Sequence, residues 1–375
     1  MRTHRGLWLI KLLNIILIAI TIVLAIVLLL SYLSTRIDPN GQWWFAFLGL
    51  AAPFLFMANA VCLLFWVVRW RIWAIVPGIV LLLGVGYIGD FVQLRFVKVY
   101  AEVAPQEGEV TVMSYNVHAF IDFRNKTNYS SKPDSITRYV NQIKADIVCF
   151  QEFQIMSAQD SSLLSERMKP WPYQKFSLVV DQPNNKWGLA VYSKYPILDV
   201  HPIRFEGQQN SSLWADIALS KKDTMRLFSC HLQTTQFNLV SPDGLRSVYS
   251  QDNMGLFIRT VGSTLKQNFK LRAQQVDTIS TMIRESPFPT VVVGDFNDTP
   301  LSYTYHTMRG DLDDTFCEEG SGYQNTYKPL MGLFRIDYIL TSSHFKTTYQ
   351  NSPTLPWSDH NPVIAKIKLK HDENE

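Results

Sequence analysis

The sequence predicts a layered α/β domain that follows an apolar, membrane-type amino-terminal region. The first observation is the uneven charge: residues 1–106 of the 375 contain eight Lys/Arg and three Asp/Glu, whereas residues 107–375 contain 27 and 29. The second is the alternation of short strand patterns with helical ones after residue 106. This distribution excludes a single soluble globule and a disordered chain. The slightly acidic polar part also argues against nucleic-acid binding by bulk positive charge.

Three uncharged stretches occupy the first hundred residues, at about 12–33, 43–68 and 72–89. A helix needs about 20 apolar residues to cross the hydrocarbon core of a bilayer, so the first two are long enough and the third is borderline. The alternative for the third stretch is a buried or interfacial helix. A cleaved signal peptide is the alternative for the first, but its apolar run is longer than a usual signal core. We therefore expect residues 1–100 to be a membrane anchor of three transmembrane helices embedded in the lipid bilayer.

The distribution of Lys and Arg around these stretches predicts the orientation of the anchor. Five basic residues precede the first stretch or separate the second from the third, and three lie on the other side: Arg2, Arg5, Lys11, Arg69 and Arg71 against Arg36, Arg95 and Lys98. Basic loops remain cytoplasmic. The sequence thus favours a multi-pass protein of the bacterial inner membrane with its large domain on the periplasmic or extracellular side. The margin depends on the span count, because removing one span reverses the side of the large domain.

A polar linker at 101–109 leads into an α/β domain at 110–370. Strands are expected at 110–116, 147–151, 189–193, 214–219, 225–231, 290–294, 335–340 and 363–369 from their β-branched and aromatic content. Helices are expected at 133–144 and 271–284 from their apolar periodicity. The irregular stretch 234–270 reads as a long loop over a site. Its alternatives are contact with the bilayer and ordinary packing.

Polar side chains appear where the apolar strands stop. They are Asn116, Glu152, His231, Asp295, Asn297, Asp337, Asp359 and His360. Ligand sites in layered α/β folds gather at strand ends, so these groups are expected to share one cleft. Carboxylate and amide oxygens favour Mg²⁺, with Mn²⁺ as the alternative, over a closed zinc cage. A hard cation combined with acids and imidazoles is a set suited to phosphoester hydrolysis.

Each of these residues alone also has an ordinary structural explanation. Glu152 fits a solvated strand end, His231 a core histidine, and Asp337 an acid paired with Arg335. It is the conjunction of all of them, in this order along the chain, that favours a catalytic site.

In this order the motifs resemble those of the endonuclease/exonuclease/phosphatase superfamily. The matching segments are SYNVH at 114–118, FQEF at 150–153, GLAVYSKYPI at 188–197, CHLQ at 230–233, VVGDFNDTP at 292–300, RIDYIL at 335–340 and SDHNPV at 358–363. The resemblance covers about 110–369. It implies a four-layer sandwich of two mixed β-sheets flanked by helices, and a metal-dependent phosphoester hydrolase.

The resemblance also implies a role for each matching residue. Glu152 would be the principal Mg²⁺ ligand, with Asn116 and Asp359 completing the metal side. Asp295 would position or deprotonate the attacking water, and Asn297 would hold that water or a phosphate oxygen. His231 and His360 would donate to the scissile phosphate, and Asp337 would orient His360. Contact with substrate is expected from Asn116, His231 and Asn297.

The substrate is left open among three classes. GDFNDT and RIDYIL differ from the corresponding motifs of inositol polyphosphate 5-phosphatases, which disfavours that branch. The favoured expectation is a membrane-anchored phosphodiesterase acting on phospholipid head groups or other envelope phosphodiesters. A membrane-tethered nuclease acting on DNA or RNA is the alternative, and a non-catalytic interaction module is the third. No protein partner is inferred.

Overall fold

Two six-stranded mixed β-sheets pack face to face with helices outside them, which confirms the predicted fold class. The computed structural model describes residues 2–95, 107–121, 132–182, 185–208, 210–234, 254–329 and 332–370. The predicted linker at 101–109 therefore lies largely outside the described residues.

The first sheet has the strand order β13-β14-β2-β3-β5-β4. Its strands are β2 (Glu109–Asn116), β3 (Ile147–Ile155), β4 (Tyr173–Gln182), β5 (Asn185–Ser193), β13 (Phe345–Asn351) and β14 (Val363–Leu369). Only β2 and β3 run parallel, and the other neighbouring pairs are antiparallel.

The second sheet has the order β10-β12-β9-β8-β7-β6. Its strands are β6 (Ile197–Arg204), β7 (Ser211–Ala218), β8 (Thr224–His231), β9 (Thr290–Asp295), β10 (Asp313–Asp314) and β12 (Asp337–Thr341). Here β8 and β9 form the parallel pair. A short antiparallel pair joins β1 (Val92–Gln93) to β11 (Gly322–Tyr323).

Alternating side chains of the central strands build three packed layers. One buried cluster lies between the sheets and includes Val112, Val191, Leu213, Leu227 and Ile339. The outer face of the first sheet is covered by α7 (Lys132–Ile143) and α8 (Ala158–Arg167). The outer face of the second is covered by α9 (Met254–Arg284) and α10 (Tyr303–Arg309), and α11 (Thr315–Glu319) packs beside β13. Burial on both faces explains why the central strands read as continuous apolar runs.

The apolar amino-terminal region consists of α1 (Arg2–Ser31), α2 (Pro39–Gln42), α3 (Trp44–Leu50), α4 (Ala52–Val68), α5 (Ile75–Leu83) and α6 (Val85–Phe91). One stretch, Trp8–Thr35, is long and apolar enough to cross a membrane by itself. The helix pairs over 44–68 and 72–91 satisfy the same test only if each bent pair counts as one span.

Uninterrupted spans over 43–68 and 72–89 were expected, and both are broken. The first bends by 61° at Ala51, and the second bends by 62° at Gly84. Pro53 lies at the start of α4, where its missing N–H and fixed φ favour a new helix over the continuation of an old one. At Gly84 the hydroxyl of Tyr32 would lie 2.1 Å from an added Cβ, so only glycine fits.

Two further expectations in the catalytic part were wrong. The helix expected to begin at 271 begins at Met254, so 254–270 of the expected loop is helical, while 235–253 lies outside the described residues. Its added turns are held by Leu265 and Phe269, which are buried one turn apart against Ala46 of α3. The strand expected from Arg335 begins two residues later, at Asp337. Strands β4, β6 and β13 were not predicted.

The amino-terminal helices pack directly against the part of the catalytic domain that contains the second sheet. The Ser34 hydroxyl donates to the Leu301 carbonyl over 2.8 Å, and the backbone at Gly49 approaches so closely that an added Cβ would lie 2.2 Å from that same oxygen. Leu301 belongs to the segment that follows β9. The apolar region is therefore in contact with the loop that carries Asn297.

A buried ionic cluster fixes the last amino-terminal helix to the domain. The Arg335 guanidinium is 1% exposed and donates to Asp314 over 2.6 Å and to the Asp90 carbonyl over 3.0 Å. Arg309 donates to the Asp90 carboxylate over 3.0 Å. Arg335 thus pairs with Asp314. The ordinary structural explanation offered for Asp337 from the sequence, an ion pair with Arg335, is therefore wrong.

We expect Arg335→Ala to lower the free energy of unfolding by about 3–5 kcal/mol, because it leaves the Asp314 carboxylate buried without its partner. Chemical denaturation of the full chain in detergent, followed by near-ultraviolet circular dichroism, measures the change. Lys222→Ala, at an exposed position, is the control and is expected to change stability by less than about 0.5 kcal/mol. Equal stability of the two variants would contradict the structural role given to the cluster.

Candidate active site

The candidate site lies at the edge where the central strands of both sheets end. Asn116 is the last residue of β2, His231 the last of β8 and Asp295 the last of β9. Because β2 and β3 are parallel, as are β8 and β9, their carboxyl ends fall on one edge of each sheet. Face-to-face packing then brings the two edges together, and Asn116 of one sheet contacts Asp295 of the other.

Glu152 is turned into the site by an irregularity in β3. The pairing with β5 shifts between Phe150 and Phe153, and Glu152 has a φ of 49°, in the left-handed region. A β-bulge of this kind re-aims one side chain without ending the strand. The carboxylate then faces Asn116 at 3.3 Å and the imidazoles of His118 and His231 at 3.6 Å.

These neighbours stabilise the charged form of Glu152. Burial alone would raise the pKa of its carboxyl, but the contact with His118 and the charge of His231 outweigh burial and lower the pKa to about 2. Among the described residues, its nearest contacts are these three, at 3.3–3.6 Å. Glu152 is thus a mostly buried, ionised carboxylate that is held loosely.

Asn116 connects the two sheets. Its amide nitrogen lies 3.3 Å from Glu152 and donates to Asp295 over 3.0 Å, while its side-chain oxygen accepts from the backbone N–H of His118. The Ser358 hydroxyl donates to its backbone carbonyl over 2.7 Å. With all of these groups engaged, the orientation of the Asn116 amide is fixed.

Gly294 sets the position of Asp295. It has a φ of 138°, and an added Cβ would lie 1.9 Å from the carbonyl oxygen of Cys230 on the neighbouring strand. Only glycine allows the two backbones to approach this closely. Asn297 follows Asp295 by two residues, and its backbone N–H donates to the Asp295 carboxylate over 2.8 Å. The side-chain amide of Asn297 donates to the Leu232 carbonyl over 3.1 Å.

Asp337 and His360 form the tightest pair of the site. His360 Nδ1 lies 2.9 Å from Asp337 Oδ2, and His360 Nε2 lies 3.8 Å from Asp295. Burial would lower the pKa of His360, but the charges of Asp337 and Asp295 raise it well above its ordinary value. Burial and the charge of Asp337 also raise the pKa of Asp295, to about 7. The imidazole is therefore a cation held between two acids.

His231 differs from His360 in protonation. Burial lowers the pKa of His231, and the charge of Glu152 offsets this only in part. Its ring also faces the amide of Asn210 at 3.4 Å and the hydroxyl of Thr234 at 3.2 Å. His231 is therefore the imidazole of the site that is most readily neutral.

The structure brings all eight of the predicted site residues into one connected group. Asp359 joins it through His118 at 3.4 Å and through the Ser358 hydroxyl at 3.3 Å, and Asn297 joins it through Asp295. Sequence reasoning gave no role to His118, Asn210, Thr234 or Ser358. His118 and Ser358 lie inside the SYNVH and SDHNPV motifs and could have been found there; Asn210 and Thr234 carried no such signal.

Backbone strain is concentrated at the same place. His118, Ala119 and Phe120 have φ values from 48° to 56°, and Glu152 and Asn297 share this left-handed conformation. Such residues cost of order 1–3 kcal/mol each and persist where the surrounding structure holds them. For His118 the strain has a visible result, since its imidazole reaches both Glu152 and Asp359.

Two parts of this group could hold a metal. Asp295, Asp337 and His360 place three ligand atoms within 4.8 Å of one another. His360 is poorly suited as a ligand, because its Nδ1 is paired with Asp337 and a protonated imidazole does not bind metal. Glu152 and Asp359 offer carboxylate oxygens, which suit a hard cation. The His118 imidazole lies against both of them, and the Asn116 side-chain oxygen accepts from the His118 backbone N–H, so a cation bound there would replace these contacts.

The family model described as Endonuclease/Exonuclease/phosphatase family matches residues 113–360 of the chain. The chain belongs to this family. Members of the family are phosphoester hydrolases, and the chain is one of phosphoesterase or nuclease type. Residues 13–91 match a domain family of unknown function. No curated protein matches the chain significantly.

Solved structures of family members share the fold. An endonuclease/exonuclease/phosphatase from Beutenbergia cavernae has a TM-score of 0.51 at 16% identity, covering 70% of this chain and 72% of that one. The catalytic domain of human nocturnin, solved with bound sulfate, has a TM-score of 0.50 at 14% identity, covering 71% and 96%. A family protein from Bacteroides thetaiotaomicron has a TM-score of 0.50 at 15% identity, covering 71% and 100%. At these identities the likeness extends to the fold alone.

We expect Asp337→Asn to lower the pKa of His360 by more than about one unit, because the charge that most favours the imidazolium is removed. At neutral pH the His360 ring would then be protonated in a smaller fraction of molecules. Titration of the imidazole by two-dimensional NMR measures the shift. Asp216→Asn, at an acid that pairs with Arg226 away from the site, is the matched control. An unchanged His360 titration in Asp337→Asn would show that Asp337 does not set its charge.

Proposed function

We propose that this family member is a membrane-anchored, divalent-metal-dependent phosphodiesterase that acts on phosphodiesters of the cell envelope. The observation that carries the proposal is the convergence of a loosely held, ionised Glu152 with two imidazoles of opposite protonation preference, His231 and His360. A phosphodiester has one negative charge and gains further negative charge in the transition state of its hydrolysis. The site therefore needs cations and hydrogen-bond donors around the phosphate, and a base beside the attacking water.

Glu152, Asn116 and Asp359 would hold the cation, and Mg²⁺ or Mn²⁺ fits their oxygen donors. One observation supports the fit: the nearest described neighbours of the Glu152 carboxylate lie 3.3–3.6 Å from it. A bound cation would neutralise phosphate charge and polarise the phosphoryl oxygen.

The protonation states of the other side chains of the site would determine their roles in hydrolysis. Asp295, with a pKa near 7, is suited to accept a proton from the attacking water. His360, a cation kept in place by Asp337, would donate to a non-bridging phosphate oxygen. His231 would donate to the same phosphate from the other side, and the side chain of Asn297 would contact the water or a phosphate oxygen.

Residues 1–100 would form the anchor, 101–109 a linker and 110–370 the catalytic domain. The carboxyl end of α1 contacts the domain through Ser34 and Leu301. Lys11 lies in the first half of α1. Trp66, three residues before Arg69, donates to Thr21, which precedes Ser34 by 13 residues. The basic residues Lys11 and Arg69 are thus gathered away from the domain. By the positive-inside rule the domain would face the periplasm or cell exterior.

We expect Glu152→Gln to lower kcat for bis-p-nitrophenyl phosphate in Mg²⁺ by about 10²-fold or more, because it removes the charge that would hold the cation. Steady-state kinetics of the full chain in detergent measure the effect, with circular dichroism to verify folding. Glu166→Gln, at an exposed glutamate of α8, is the control. Near-wild-type turnover of Glu152→Gln would reject the metal assignment. Nicking of plasmid DNA without diester hydrolysis would instead favour a nuclease.

His360→Ala is expected to lower turnover by about 10²–10³-fold, the usual effect of losing one charge-stabilising donor. The reason is that His360 has the shortest contact with an acid among the described imidazoles of the site, at 2.9 Å from Asp337. His118 also lies between two acids, but at 3.4 and 3.6 Å. The same kinetic assay applies. The control is His344→Ala, because His344 lies between β12 and β13, away from the site, and its ring contacts the Ser342 hydroxyl. If His360→Ala and His344→Ala behaved alike, the SDHNPV motif would be structural.

Protease added to intact bacterial spheroplasts is expected to digest residues 107–375, because the distribution of Lys and Arg favours a domain outside the inner membrane. Immunoblotting against a carboxyl-terminal tag follows the digestion, and detergent-permeabilised cells provide the control. Complete protection of the tag in intact spheroplasts, with digestion after permeabilisation, would reverse the proposed orientation.

A further inference from the structure

A small, partly open cavity lies beside the candidate active site. Its lining combines one residue of the amino-terminal region, Leu50, with residues of the catalytic domain: Leu265, Phe269, Phe334, Ile336 and the 297–299 segment, together with Arg272 and Tyr327. None of the roles proposed above uses it.

One end of the cavity reaches the site itself. Asn297 lines it, and the backbone N–H of this residue donates to Asp295. Tyr327 also lines it, and its ring centroid lies 5.0 Å from that of His360. A molecule whose phosphate contacted His360 could therefore extend directly into the cavity.

Most of the remaining exposed wall is apolar. Leu265 and Phe269 of α9 form a buried cluster with Ala46, against which Leu50 packs. Charge on the wall is neutralised, because Arg272 is paired with Asp298 over 3.3 Å and donates to the Gln233 carbonyl. An ionic group would gain little from such a wall, whereas a hydrocarbon chain would be removed from water.

The cavity is also continuous with the membrane-type region. Leu50 is the last residue of α3 and lies next to the 61° bend at Ala51, where the long apolar helix α4 begins. Phe47 of α3 packs edge-on against Phe269, with centroids 5.2 Å apart. The helix that borders the cavity is thus joined at this bend to a helix with an exposed apolar surface, including Phe54, Met57 and Val61.

We propose that this cavity binds the hydrocarbon chain of a membrane lipid whose phosphoester lies at the Glu152–His360 site. The proposal rests on the proposed function and narrows its substrate to amphiphilic phosphodiesters. Leu50, Leu265 and Phe269 would hold the chain, and the amino-terminal helices would complete the substrate site in addition to anchoring the protein.

The first test does not depend on catalysis. The full chain is placed in phosphatidylcholine nanodiscs that contain a lipid with a diazirine on its acyl chain, and cross-linked peptides are identified by mass spectrometry after illumination. We expect cross-links on the segment that contains Leu265 and Phe269, in addition to those on the exposed face of α4. Leu265→Trp, which fills the cavity, should remove the first set and keep the second.

Two further variants sharpen this test. Leu50→Trp fills the cavity from the opposite wall and replaces Leu265→Trp in this test if that variant does not fold. It should also remove the cross-links at Leu265 and Phe269 and keep those on α4. Leu198→Trp, at a position that is 63% exposed on β6, is the matched control and should leave both sets unchanged. Cross-links confined to α4 and the other exposed helices in the wild type would overturn the proposal.

The second test separates this proposal from the proposed function. The substrates are p-nitrophenyl methyl phosphate and p-nitrophenyl dodecyl phosphate, presented in detergent micelles with Mg²⁺. We expect the dodecyl ester to have the higher kcat/KM, and Leu265→Trp to reduce that preference by about tenfold or more. Cleavage of both esters with the same preference in wild type and variant would overturn the cavity assignment alone. Cleavage of neither by the wild type would overturn the proposed function, and the cross-linking result would still decide the cavity.

Discussion

Four carboxylates brought together in a mostly buried pocket are the constraint on which the rest of the site depends. Glu152, Asp295, Asp337 and Asp359 come from both sheets and from the loops after them. Like charges at such distances destabilise one another unless cations or donors lie between them. The imidazoles of His118, His231 and His360 occupy those positions, and the Asn116 amide joins the two halves. The negative charge of these carboxylates is compensated unevenly, because His360 is held tightly by Asp337 whereas Glu152 has only longer contacts with its described neighbours. A divalent cation beside Glu152 would complete the charge compensation.

The amino-terminal helices bear on this same pocket. They contact the segment after β9 through Ser34 and Gly49, and Asp90 is fixed by Arg309 and Arg335. Arg335 precedes Asp337 by two residues, so the ionic cluster that holds the last amino-terminal helix adjoins the start of β12. Leu301 follows β9, and β9 ends beside the start of the antiparallel β12, so the apolar region contacts the domain at the end of both strands where Asp295 and Asp337 lie.

Strand ends could be predicted from the sequence and loop positions could not. Asn116, His231 and Asp295 follow apolar runs that are buried on both faces, and the alternation of such runs with helical patterns identified the fold class. Glu152 was found through its motif, although nothing in the sequence predicts the bulge and left-handed φ that aim it. Asn210 approaches His231 only because the second sheet brings separate segments together. Gly84 lies against the Tyr32 hydroxyl of another helix, and the added turns of α9 pack against α3. Long-range contacts of this kind leave no local pattern.

The most direct test of the account is the location of a bound cation. Crystals of the full chain soaked in Mn²⁺ can be measured at the manganese absorption edge, where anomalous differences locate the ion without reference to activity. We expect one anomalous peak beside the carboxylate of Glu152, within reach of Asn116 and Asp359, with the Asp337–His360 pair intact. A peak between Asp295, Asp337 and His360 in place of this one, or no peak in crystals of protein that hydrolyses diesters in Mn²⁺, would contradict it.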